Sequence, residues 1–297
     1  MTSVLPDRGT VATAGHRPVI PPRGAAYLLS GVLAVVAAAA AASTFFADGM
    51  LTGPAVAVGN ARGTALVVLV LGLPALIGSV ALTARGSTRA LFVWLGTTAY
   101  LLYNAIMFLF ATPFNHLFLL YVAMLSLAIW AVVFLVPAVD RDEVATRVSP
   151  RLPARGIAGY LLTIAGLNTL VWLRTAVPAS LSDEPTSFLE EIGLTTSPTF
   201  VQDLAFWLPL TALGGVLLWR RAGWGYMLGG TMLTYGVLEA VGVAVDQWFG
   251  YHADPTTSYA SRGGMWLFIG LAVVGLVPAY LFFRDVVRPI GEEIRHG

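Results

Sequence analysis

The chain has 297 residues, 57% hydrophobic and only 11% charged, with a mean hydropathy of +0.77; soluble domains carry roughly a quarter of their residues as charges, so a water-soluble fold is excluded. A formal net charge of +1 offers no basic face for nucleic acid. Cysteine is absent and all 17 basic residues are arginine, which removes disulfides, thiolate metal sites, a retinal Schiff base, a P-loop lysine and a Ser-Lys dyad.

The first 23 residues are rich in Pro, Gly, Thr and Arg, lack hydrophobic periodicity and read as a disordered cytoplasmic tail. Charge-free runs then mark membrane spans, because a helix needs about 20 apolar residues to cross ~30 Å of hydrocarbon. Twenty-four residues separate Arg23 from Asp48. They read as a first bundle helix rather than a signal peptide, whose apolar core is only ~7 to 15 residues long. Twenty-two residues separate Arg62 from Arg85, and fifty separate Arg89 from Asp140; the long run must be two helices folded at Thr112-Pro113-Phe114-Asn115-His116. Further spans are expected at 157–178, 203–219, 223–247 and 263–283, before a cytoplasmic tail over 286–297. The expected fold class is all-α, an integral membrane helical bundle of eight transmembrane helices.

Arginines in short loops stay on the cytoplasmic side. With the N-terminus inside, 14 of the 17 fall there, which places both termini in the cytoplasm. Arg62 and Arg262 are left outside, and Arg174 lies within a span.

An internal duplication is also expected. Tyr27-Leu28-Leu29 in span one matches Tyr160-Leu161-Leu162 in span five. Leu73-Pro74 before Arg85 matches Leu208-Pro209 before Arg220, and Tyr100 and Ala105 match Tyr235 and Ala240, all at an offset of 135; Leu135-Val136-Pro137-Ala138 matches Leu276-Val277-Pro278-Ala279. Four spans per half make the halves parallel, a 4+4 arrangement of 24–148 and 149–285.

An ionisable group inside a span needs a partner or a water-lined cavity, and is a functional hypothesis by default. Span seven carries Tyr235, Glu239, Gly242 and Asp246 at steps of 4, 3 and 4, one helical face. Glu239 lies about 13 Å below the end near Trp248 at ~1.5 Å per residue. Span three presents Thr97, Tyr100, Asn104 and Met107 on one face, and under the duplication Asn104 is the counterpart of Glu239. Asn168 and Arg174 on span five, and Asp203 at the start of span six, form an outer rim with Asn115 and His116. Arg174 is the expected counter-ion for Asp203 or Glu239, since its planar fork suits a carboxylate. The plainer readings are that Glu239 and Asn104 only hold helices together, that Arg174, Asp203 and Asp246 are hydrated at the interface, and that His116 is an interfacial cap. Trp172, Trp207, Trp248 and Trp266, with Trp219 and Trp224, read as aromatic belts. Gly225-xxx-Gly229 permits a close helix contact, and span seven is expected to pack centrally.

No H-E-x-x-H, G-x-S-x-G or Walker A motif occurs. No metal, haem, ATP or other cofactor is therefore expected, and no catalytic residue is named. Ser197-Pro198-Thr199-Phe200-Val201-Gln202-Asp203 running into Leu208-Pro209 and Trp219-Arg220-Arg221-Ala222-Gly223-Trp224, with the hairpin from Tyr103-Asn104 to Leu117-Phe118-Leu119-Leu120-Tyr121, resembles a group of bacterial multi-pass membrane proteins with no assigned activity. The resemblance covers about a third of the chain, implies residence in the bacterial inner (plasma) membrane, and carries no site residue across. The expectation is a carrier or ligand-binding protein for a small polar or lipid-like ligand, with Glu239, Arg174, Asp203, Asn104, Tyr100, Tyr235, Asp246 and Asn168 as the ligand-binding set. A membrane enzyme acting on a lipid-like substrate, and an accessory subunit, stay as alternatives. The lipid bilayer is the expected partner, and oligomerisation is left open.

Overall fold

A computed structural model describes residues 24–184 and 186–286, so the expected N-terminal tail and nearly all of the C-terminal tail lie outside the described residues. Among the described residues, eight helices are long and apolar enough to cross a membrane: α1 (Ala25–Phe46), α2 (Ala55–Ala84), α3 (Thr88–Phe110), α4 (Phe118–Ala138), α5 (Ala154–Ser180), α6 (Pro198–Trp219), α7 (Gly223–Ala253) and α8 (Arg262–Arg284). The protein is thus an all-helical multi-pass membrane protein, as a bilayer demands of a chain whose backbone groups must be satisfied without water.

Three boundaries depart from the sequence expectation. α2 begins at Ala55 rather than after Arg62, because Gly59 and Gly63 let this stretch pack closely on α7; Arg62 therefore lies within a helix, not in an outer loop, and pairs with Asp48 at 2.7 Å. α6 begins at Pro198 rather than 203 because the Ser197 hydroxyl accepts the Phe200 N–H at 3.3 Å and Pro198 occupies a first-turn position that needs no donor. α7 runs on to Ala253 rather than 247, since beyond Trp248 it still packs on α2, Gly250 lying against Asn60. α7 packs on α2, α3, α6 and α8, but the most enclosed helix is α3, with 78% of its spanning window buried against 44% for α7.

Small residues set these contacts. A Cβ on Gly96 of α3 would collide with the Thr234 side chain and the Thr231 carbonyl of α7; one on Gly63 of α2 would meet Asp246 at 2.8 Å, and one on Gly225 would strike the backbone of Leu217 and Leu218. Close approach in lipid depends on such gaps, because lipid offers no hydrophobic drive between helices.

Both α2 and α6 contain a widened turn. Val68–Gly72 and Asp203–Trp207 are five-residue π segments, the Leu73 N–H reaching back to the Val68 carbonyl and the Leu208 N–H to that of Asp203. Each is followed by a twelve-residue α-helix that opens with Leu-Pro, Leu73–Ala84 or Leu208–Trp219. Proline cannot donate to the preceding turn and its ring clashes there, so the chain accommodates it by widening.

The arginine-rich end is knitted by guanidinium groups bonded to loop carbonyls. Arg89 donates to the Val286 carbonyl at 2.9 Å and to that of Arg284 at 3.2 Å. Arg147 pairs with Glu143 at 2.7 Å and reaches the Thr88 hydroxyl at 3.2 Å, while Arg221 donates to the carbonyls of Pro150 and Leu152. An antiparallel bridge joins Val148 to Val286.

At the opposite end, the turn Ser187–Ile192 closes over the bundle. Leu189 and Ile192 pack with Val56 and Ala260, and Gly193 turns the chain away at φ 67°, a left-handed conformation that favours glycine. The Glu191 carboxylate clasps the α7–α8 loop. It accepts from the Thr257 hydroxyl at 2.7 Å, the Ser258 N–H and hydroxyl at 2.9 Å each, and the Tyr259 N–H at 3.3 Å. These donors hold its carboxyl below the ordinary glutamate range.

Candidate functional site

The polar faces of α3 and α7 meet in the middle of the bundle. Asn104 donates to the Tyr100 carbonyl one turn back at 2.9 Å and its amide meets Glu239. An amide fixed by one N–H retains a second N–H and an oxygen, so it can serve a carboxylate or a carboxylic acid equally well. The Glu239 Oε2 is enclosed without a hydrogen-bond partner, as are the hydroxyls of Tyr100 and Thr97.

Two more carboxyls flank this centre, each near enough to interact with Glu239 electrostatically. Asp246, two turns further along α7, lies 3.1 and 3.0 Å through its two oxygens from the Thr64 hydroxyl of α2, which donates to one of them. Asp203 is carried inward by the π segment of α6, where it is 6% exposed and accepts from the Trp172 indole of α5 at 2.8 Å. Between Asp203 and Glu239 lies a cluster of rings. Trp207 stacks on Tyr235 at 4.8 Å, and Tyr103 sits 6.1 and 6.0 Å from the two. On the Asp246 side the Tyr100 ring packs against Gly72, at the end of the α2 π segment, and against Gly242 of α7.

Of the residues proposed from sequence, Glu239, Asn104, Tyr100, Tyr235, Asp203 and Asp246 are thus gathered into one zone. Arg174 and Asn168 are not part of it. Arg174 is exposed, and the ion pairs formed by the described residues are Arg62–Asp48, Arg147–Glu143 and Arg284–Asp285. Helical geometry explains the miss: residues two apart on a helix point to opposite sides, so an α5 that turns Trp172 onto Asp203 turns Arg174 away. Asn168, one turn before Trp172, is half-buried and bonds to none of the others. Asp203 does not lie at a helix start on the rim, because α6 begins a full turn earlier and encloses it. Nor do all the tryptophans form belts: Trp207 is 5% exposed and donates to the Gln202 amide oxygen at 3.1 Å. In the α3–α4 hairpin Asn115 does the capping, its Oδ1 accepting the Leu117 N–H at 2.9 Å, while His116 is exposed.

Sequence reading missed Thr64, Tyr103, Trp172 and Trp207. Tyr103 follows Tyr100 by three residues and its position was legible. Thr64 gave no signal, since a threonine costs little in a span. Beside the zone, an apolar groove of about 570 Å³ runs between α5 and α6, lined by Leu162, Gly166, Thr169, Leu204, Leu208 and Pro209. No family model, no curated protein and no solved structure matches the chain.

Proposed function

We propose that this protein is a proton-linked carrier for a small polar or cationic solute, with Glu239 as its protonatable centre and Asp203, Asp246, Asn104, Tyr100, Tyr103 and Tyr235 as the lining. One observation carries this reading: three carboxyls share the interior of a membrane bundle, Glu239 keeps an oxygen free of any partner, and among the described residues no arginine bonds to any of the three. Unpaired carboxylates in hydrocarbon are costly, and the cost is relieved when such a group holds a proton or receives a cation.

The two halves are read as a parallel 4+4 repeat, with Asn104 as the counterpart of Glu239. The paired π segments support this, since they lie 135 residues apart, as do the Leu-Pro steps that follow them. The tyrosines add to it: Tyr100 packs on Gly72, the last π residue of α2, and Tyr235 stacks on Trp207, the last of α6. The arginine distribution supports a reading with both termini in the cytoplasm and the Glu191 clasp outside, and the resemblance to bacterial multi-pass membrane proteins supports a bacterial plasma membrane.

The test is uptake of radiolabelled small amines and amino acids into proteoliposomes under an imposed pH gradient. Wild-type protein accumulates at least one of them, and Glu239→Gln loses that gradient-driven flux. Equal flux through the variant, or no flux through the wild type, overturns the reading.

The groove between α5 and α6 favours a second reading, an enzyme for a lipid-like substrate with Asp203 as general base. That activity turns over in detergent without a gradient and is abolished by Asp203→Asn.

A further inference from the structure

Asp246 lies seven positions beyond Glu239 along α7, about 10 Å of helical rise, whereas proton transfer needs heavy atoms roughly 2.6 to 3.2 Å apart. Any exchange between the two carboxyls therefore needs an intermediate group. The position midway between them on the same face is Gly242, and the space its missing side chain leaves is occupied by the hydroxyl of Tyr100, which lies 3.2 Å from where a Cβ would stand. The Tyr100 side chain is fully buried and its hydroxyl has no hydrogen-bond partner, although a buried tyrosine ordinarily finds one. The hydroxyl lies within electrostatic reach of both Glu239 and Asp246.

We infer that the seam between α2 and α7 is the path by which protons reach Glu239 from the clasped end, and that Tyr100 is its relay between Asp246 and Glu239. This rests on the reading of Glu239 as a protonatable centre. A tyrosine hydroxyl accepts and donates at once. The Asp246 carboxyl passes its proton to the Tyr100 oxygen while the Tyr100 O–H passes its own to the Glu239 carboxylate, directly or through a bridging water. Asp246 is left ionised, Glu239 is left neutral, and tyrosine is unchanged.

The ionised Asp246 keeps the Thr64 hydroxyl as donor. Above it lie Tyr259, within electrostatic reach, and the Asn60 amide oxygen, enclosed without a partner beside Gly250. The groups facing Glu239 from α3, α6 and α7 are Asn104, Tyr103, Asp203 and Tyr235.

The route is read by infrared spectroscopy of the full chain in lipid bilayers exchanged from H2O to D2O. The carboxyl stretch belonging to Glu239 is the band that disappears in Glu239→Gln, and its isotope shift reports proton access. Tyr100→Phe keeps the ring and removes the relay, so the shift slows by about a hundredfold, the lower range of what a positioned proton donor contributes. Asp246→Asn, which keeps an acceptor for Thr64, slows it likewise, and Gly242→Ala, whose Cβ shifts the hydroxyl by a few tenths of an ångström, slows it less; Tyr27→Phe, whose hydroxyl is also enclosed without a partner but stands in the first turn of α1, leaves it unchanged. A wild-type rate in Tyr100→Phe and Asp246→Asn overturns the route while leaving Glu239 as the centre, since its band is still observed. If no protonated carboxyl band disappears in Glu239→Gln, the underlying reading fails and the route with it.

Discussion

Asp203 keeps its place inside the bundle through one indole. Its Oδ2 accepts from Trp172 at 2.8 Å, and an acceptor stripped of its donor in an enclosed setting costs about 1 to 3 kcal/mol. Trp172→Phe is therefore expected to lower the thermal unfolding midpoint in detergent, and Arg174→Gln, at an exposed position, to leave it where it was. Equal losses would show that Arg174 supports the site after all. The contrast between the two also explains what was legible at this level. Glu239, Asn104 and Asp246 stand out because a polar group in a hydrophobic run has few innocent explanations. Trp172 does not, because a tryptophan near a helix end fits an aromatic belt equally well. Which of Trp172 and Arg174 turns inward depends on how α5 is rotated about its axis.

Among the helices, contact is governed by glycines whose roles differ with what lies opposite. Gly96 faces the Thr231 carbonyl across the α3–α7 crossing, whereas Gly236 on α7 has nothing within 4 Å of its Cβ position. A backbone carbonyl cannot move aside as a flexible side chain can, so Gly96→Ala should cost about 1 to 3 kcal/mol. Gly236→Ala should be neutral or stabilising by up to about 1 kcal/mol through helix propensity. Parallel thermal unfolding of the two variants decides the point; comparable losses would mean that the crossing is looser than the structure shows. The expected contact of Gly225 and Gly229 is made, both facing the last turn of α6. An equivalent pair, Gly59 and Gly63 of α2 against α7, carries the same spacing and went unremarked. Small residues are common in membrane helices, and spacing alone does not say which pair meets a neighbour. The π turns behave similarly. Leu73-Pro74 and Leu208-Pro209 were visible as repeated words, but their widening of the preceding turn, which carries Asp203 inward, was not.

The bundle is fastened differently at its two ends: guanidinium-to-carbonyl bonds tie the loops at one, and the Glu191 carboxylate ties them at the other. Because Glu191 is held below its ordinary range, its contribution is present above the unfolded glutamate value and is lost as pH falls through the lowered folded one. Hydrogen exchange should show the backbone of 187–192 and 257–259 protected at neutral pH and released on acidification, with Glu191→Gln weakening that protection at neutral pH. A protection pattern indifferent to both would remove the clasp.

The sequence by itself determined the eight helices, long and apolar enough to cross a membrane, that the described residues form, because hydrocarbon imposes one rule on every segment: long apolar runs and a backbone bonded within itself. The meeting of Thr64 with Asp246, across 182 residues, of Trp172 with Asp203, and of Tyr100 with the gap at Gly242, follows from helix rotations and a widened turn. Those are set by packing between segments remote in the chain, and local pattern carries no record of them.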